Sequence, residues 1–87
     1  MRNDDLKKIT EIKQYLFDPP TSFKLNDLAF DQVKDAMNIL SNYPDAKPVV
    51  DDLQALSLQL SNKEIEQTDL RNVLKETGIQ LGNLTNK

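Results

Sequence analysis

Val49-Val50-Asp51-Asp52-Leu53-Gln54-Ala55-Leu56-Ser57-Leu58-Gln59-Leu60 puts Val49, Leu53, Leu56 and Leu60 at the i, i+4, i+7 and i+11 positions of one helix face. Apolar residues at that spacing read as an amphipathic α-helix that must bury one side. Asp45 is placed to cap it. Pro48 is tolerated in its first turn, where the missing N–H has no intrahelical partner. Leu58 points away from the stripe, as a second contact or an exposed apolar group. Directly downstream, Ser61-Asn62-Lys63-Glu64 matches a capping box, with Leu60 and Ile65 in the positions of a hydrophobic staple. A further helix is therefore expected close behind this one.

That further helix carries Ile65, Leu70, Val73 and Leu74. The step from Ile65 to Leu70 is irregular and predicts a break near Thr68. Glu76-Thr77-Gly78-Ile79 reads as a helix end, because glycine takes the left-handed position after the last turn and the next apolar residue folds back. Residues 79–87 then form a polar, loose tail, with at most one short turn through Leu81 and Leu84. Upstream, Phe30, Val33, Met37 and Leu40 form a stripe that Asn26 can cap, and Ala29 and Ala36 beside it permit close helix approach. Asn42-Tyr43-Pro44 ends that segment. The first helix starts near Asn3 or Asp4 and carries Leu6, Ile9, Ile12 (or Lys13) and Leu16. Asp18-Pro19-Pro20 stops it, since proline lacks the N–H and disfavours helix in the residue before it. Phe17 lies off that stripe, and Phe23 and Leu25 are expected to anchor the loop to the core.

No strand pattern competes, and no internal repeat is present. Short connections between consecutive helices favour antiparallel neighbours. The predicted fold is all-α: a compact, antiparallel, up-and-down bundle of three to four helices in a single domain spanning 1–87. Its core is led by Leu6, Ile9, Leu16, Phe30, Val33, Met37, Leu40, Val49, Leu53, Leu56, Leu60, Val73 and Leu74.

Composition narrows the function classes. The 87 residues include no histidine, cysteine or tryptophan. Disulfides and thiolate chemistry are thereby removed, as is the commonest neutral-pH acid–base group. Ser22, Ser41, Ser57 and Ser61 have no base at a telling spacing and read as caps and turns. Asp4-Asp5 and Asp51-Asp52 are neighbours that point about 100° apart on a helix. They suit first turns, where negative charge favours the helix dipole. No catalytic residue, cofactor site or metal site is predicted, and the chain is expected not to be an enzyme. A formal charge of −3 opposes binding to a phosphate backbone. The start, Met1-Arg2-Asn3-Asp4-Asp5-Leu6, leads into no apolar segment, so neither a signal peptide nor a membrane-spanning helix is expected. A cytoplasmic location follows as the expectation.

What remains is surface. Asp27, Asp31 and Asp35 recur at i, i+4 and i+8, a row of carboxylates along one side of the second helix. Like charges so spaced repel mildly. The row is either a solvated face relieved by Lys24 and Lys34 or a grip for a basic protein partner. Leu58 and Leu81, with Phe17, are the off-stripe apolar residues available for an exposed patch. The segment from Val73 through Gly78 to Leu84 also has the outline of a helix-turn-helix, which would make the chain a small transcription regulator. A helical assembly subunit is the other alternative.

A resemblance sharpens the partner reading. Tyr15-Leu16-Phe17-Asp18-Pro19, then Lys34-Asp35-Ala36 with Leu40, then Val49-Val50-Asp51-Asp52-Leu53, then Leu60-Ser61-Asn62-Lys63 and Leu70, occur in an order that resembles the enterocin A-type bacteriocin immunity proteins. The likeness spans roughly residues 12–75. Members of that family tend to be basic and longer, whereas this chain is acidic with a short tail. The resemblance implies a cytoplasmic four-helix bundle. It also implies protection of a producing cell from a pore-forming peptide, through peripheral contact with a complex of that peptide and a membrane sugar transporter.

Overall fold

A computed structural model describes residues 2–19 and 25–85, apart from the side chain of Gln67. Four helices follow one another: α1 (Asn3–Phe17), α2 (Leu25–Leu40), α3 (Lys47–Ser61) and α4 (Gln67–Thr85), with a single 3-10 turn at Pro44–Ala46 leading into α3. No strand occurs among the described residues. The all-α antiparallel bundle expected from the periodicity is what forms. Its Cα radius of gyration, 12.1 Å, equals the roughly 12 Å of a compact chain of this length. Phe23 and Ser22 lie outside the described residues.

The helices associate mainly as two pairs, α1 with α4 and α2 with α3. One continuous core lies between them, from Ile9, Ile12 and Leu16 on α1 through Leu25, Ala29, Val33, Ala36 and Leu40 on α2. Leu53, Leu56 and Leu60 on α3 and Leu70, Leu74 and Leu81 on α4 complete it. On α2 the buried stripe is Ala29, Val33, Ala36 and Leu40, so the two alanines, rather than the larger Phe30 and Met37, face inward. Phe30 lies half-buried at the margin, with the Lys34 ammonium 5.8 Å from its ring centroid. Leu6, Met37, Val49 and Val73 are likewise partly buried, at the edges of their stripes.

Helix boundaries depart from the predicted caps in an instructive way. The N-cap of α1 is Arg2, whose carbonyl accepts from the Leu6 N–H at 2.8 Å, rather than Asn3 or Asp4. Arg2 is fixed there by a clasp. Its backbone N–H donates to the Tyr43 hydroxyl at 3.1 Å, Tyr43 donates to Asp5 Oδ2, and the Arg2 guanidinium lies 3.6 Å from the same carboxylate. That carboxylate and the Tyr43 hydroxyl raise the Arg2 pKa further, the hydroxyl contributing most. Asn26 lies inside α2, which begins at Leu25, so it is not the cap. Ala46 rather than Asp45 is the N-cap of α3, and Pro48 sits in the first turn as expected. Asp51 and Asp52 fall beyond that turn: Asp51 pairs with Lys47 at 3.6 Å, and Asp52 faces α4.

Two readings of the C-terminal third are overturned. Ser61–Glu64 is not a capping box. The Lys63 N–H bonds to the Leu60 carbonyl (3.2 Å) and the Glu64 N–H to the Gln59 carbonyl (2.9 Å), with Lys63 left-handed at φ 55°. This pair of bonds is the Schellman ending of α3. The next helix waits until Gln67, with the Glu66 carbonyl accepting its first bonds. Ile65 therefore precedes α4, which explains the irregular step to Leu70 without a break at Thr68. Gly78, in turn, is not a helix end. Neither glycine has positive φ, and α4 runs unbroken to Thr85. The loose tail from 79 and the helix-turn-helix outline both fall with that continuity.

Gly78 and Gly82 have a different task. They sit one turn apart on the face of α4 that meets α1. A Cβ at Gly78 would stand 3.2 Å from Phe17 Cδ2 and 3.5 Å from the Lys13 carbonyl oxygen, and one at Gly82 would stand 3.3 Å from Lys13 Cδ. The absence of side chains lets the two helices close.

Candidate functional site

The seam between α3 and α4 is built differently from the other face of α4. Asp45 in the 3-10 turn and Val49, Asp52 and Leu56 on α3 recur at i, i+4, i+7 and i+11, so that acids alternate with two aliphatic residues of the α3 stripe. Val73, Thr77, Gln80 and Leu84 answer from α4, with Glu76 at the rim. These helices are antiparallel and touch sparingly. Their one side-chain hydrogen bond among the described residues is from Gln80 Nε2 to Asp52 Oδ2, at 3.4 Å.

The result is a shallow groove of two depressions that share Gln80. One, of about 190 Å³, is lined by Asp52, Ala55, Leu56, Gln59, Val73, Glu76, Thr77 and Gln80. The other, of about 260 Å³, is lined by Asp45, Pro48, Val49, Gln80, Asn83 and Leu84. Leu56 is buried at the base, while Val49, Val73 and Leu84 remain half-buried. The Thr77 hydroxyl donates to the Val73 carbonyl at 3.0 Å, so its polarity is satisfied within α4. Ser57, on the buried side of α3, does the same with the Gln54 carbonyl at 2.7 Å, inside the helix rather than at a cap or turn. The groove thus has an aliphatic floor. Among the described residues, every ionisable one lining it is an acid.

The predicted contact residues do not converge there. Asp27, Asp31 and Asp35 are all exposed on α2, as a surface row requires. Asp35 meets Asp4, Asp5 and Lys8 of α1 in a third depression, of about 340 Å³, completed by Asn38 and Ile39. That depression carries its own cations, Lys8 within it and Arg2 on Asp5. Asp31 lies close enough to Tyr15 to add to the effect of burial, and the two together raise the phenol pKa above the usual tyrosine value, burial being the larger cause. The Tyr15 hydroxyl and Asn26 Oδ1 are buried without a hydrogen-bond partner among the described residues. Leu58 is 59% exposed on the outer side of α3, and Phe17 is 40% exposed beside Gly78. Leu81 is fully buried and contributes nothing to a surface patch. Its correction follows from helix continuity: one further turn of α4 carries Leu81 under α1.

Sequence reasoning assigned Val49, Leu56 and Val73 to the core and passed over Asp45, Asp52 and Glu76 as a set. The signal that finds Asp45 and Asp52 is their alternation with Val49 and Leu56 along one edge of α3, which a search for the core alone overlooks; Glu76, on α4, has no such signal. Among the described residues no cluster of three or more acidic side chains is placed to hold a metal ion, and no helix is long and apolar enough to cross a membrane. No protein-family model, curated protein or solved structure matches the chain.

Proposed function

We propose that this chain acts without catalysis, by docking on another protein, and that in the cell this docking gives immunity to a bacteriocin from the cytoplasmic side. The observation that carries the docking reading is the α3–α4 groove, with half-buried Val49, Val73 and Leu84 on its floor. A domain this small needs nearly all its aliphatic residues for its own core. Aliphatic groups left partly uncovered in a groove are therefore a natural seat for a partner. The immunity role rests on the order of sequence elements from Tyr15 to Leu70. The acidic row on α2 offers a second contact, to a basic surface of the partner or of a membrane-bound complex.

The test is protection. A bacteriocin-sensitive lactic-acid bacterium expressing the chain should grow at peptide concentrations that stop the parent strain. Ala55→Arg, which obstructs the groove from an exposed position, should abolish protection while leaving the melting temperature unchanged. Protection retained by that variant but lost on Asp31→Lys with Asp35→Lys would move the contact to the α2 row. No protection by the native chain would remove the immunity role.

A further inference from the structure

The two depressions of the groove repeat at a helical interval. Val49 and Leu56 are seven residues apart on α3, and Thr77 and Leu84 are seven apart on α4. At 1.5 Å per residue that is about 10 Å, the distance between side chains i and i+7 on a guest helix. The depressions are too small for a helix but suited to one aliphatic side chain each. Charge selects the guest further. Asp45, Asp52 and Glu76 rim the groove, and among the described residues no lysine or arginine lines it. A guest with acidic flanks would meet like charge, whereas one with basic flanks would be drawn in and held in register. The α1–α2 depression is the internal contrast: it too is acidic, but Lys8 and Arg2 offset it.

From this complementarity we propose that the α3–α4 groove binds a cationic amphipathic helix of a partner protein, with aliphatic anchors at i and i+7 and lysine or arginine on its flanks. The proposal rests on the docking reading and specifies its guest. Helix-in-groove recognition of this kind is read from just such anchors.

The experiment uses the whole chain with labelled leucine and valine methyls and isoleucine δ-methyls. The probe is a synthetic leucine–lysine peptide of about 14 residues, long enough to sustain a helix. Three controls accompany it: the same composition in scrambled order, the leucine–glutamate counterpart, and a variant whose anchors are moved from i, i+7 to i, i+5. The methyls of Val49, Leu56, Val73 and Leu84 should respond to the first peptide and hardly to the controls. Asp52→Lys with Glu76→Lys should weaken binding by about tenfold or more, as for reversal of charges facing a cationic partner. Equal binding of the leucine–glutamate peptide in the groove would overturn the cationic guest and leave docking standing. An Ile39 response as large as that of the groove methyls would reduce the effect to bulk charge and overturn the site. Silence of the groove methyls towards both helical peptides would overturn the guest, and the Ala55→Arg protection assay would then decide separately whether the groove docks anything.

Discussion

The two sides of α4 solve opposite packing problems. Towards α1 the helix presents Gly78 and Gly82 one turn apart, and backbone approaches Phe17 and Lys13 so closely that a methyl group would touch. Towards α3 it presents Glu76, Thr77 and Gln80, whose bulk and polarity keep α3 off except for a long hydrogen bond to Asp52. Removing side chains closes a seam, and placing polar ones of middle size holds it ajar. The groove is therefore the by-product of uneven packing on one helix.

The comparison is most easily broken at Leu81, at the closed seam. Leu81→Ala should cost on the order of 2–5 kcal/mol in chemical denaturation, as a fully buried leucine does. Leu58→Ala, on the exposed side of α3, should stay within about 0.5 kcal/mol of the native chain. Equal effects would erase the distinction between core and surface. Next in size is overpacking. Gly78→Leu should lose about 1–3 kcal/mol by forcing α1 away, whereas a leucine at Gln80 should leave stability nearly unchanged in the same thermal melt.

Smaller effects sharpen the picture. Lys63 is left-handed at the end of α3, a conformation that costs a side chain about 1 kcal/mol, so Lys63→Gly should raise stability by a comparable amount. Gly82→Ala should add roughly 0.5–1 kcal/mol from helix propensity, because the only atom its methyl meets is the movable end of Lys13. Gly78→Ala should forgo that gain, since its methyl would stand 3.2 Å from Phe17 Cδ2 in the closed seam.

The last prediction concerns alkali. The Tyr15 pKa is raised in the folded state, so the neutral phenol is favoured there. Its contribution is complete below the ordinary tyrosine value near 10 and is lost as pH rises through the folded value. Melting temperature should fall in that range for the native chain and fall less for Tyr15→Phe. With no hydrogen bond to lose, that variant should be at least as stable at neutral pH.

Much of this fold was legible because its stripes are regular. Val49, Leu53, Leu56 and Leu60 set α3 in place, and the breaks at Pro19 and Pro44 separated the helices correctly. The failures share a cause. Residue type alone makes Ser61–Glu64 a start and glycine a terminator, whereas local backbone bonding decides the first case, at Lys63, and packing against α1 the second, at Gly78. A lysine accepted the left-handed position because two backbone bonds close around it, and a glycine stayed helical because Phe17 lies against it. The same blindness hid the groove. Spacing tells which residues share a face but not how far apart two faces stand.

One consequence of the pairing remains. With α1 packed on α4 and α2 on α3, the molecule amounts to two helix pairs laid together, and the described chain crosses between them at 62–66. The stretch from Asn62 to Glu66 spans the open seam, and its backbone-bonded Lys63 turn fixes where α3 ends and the crossing to α4 begins.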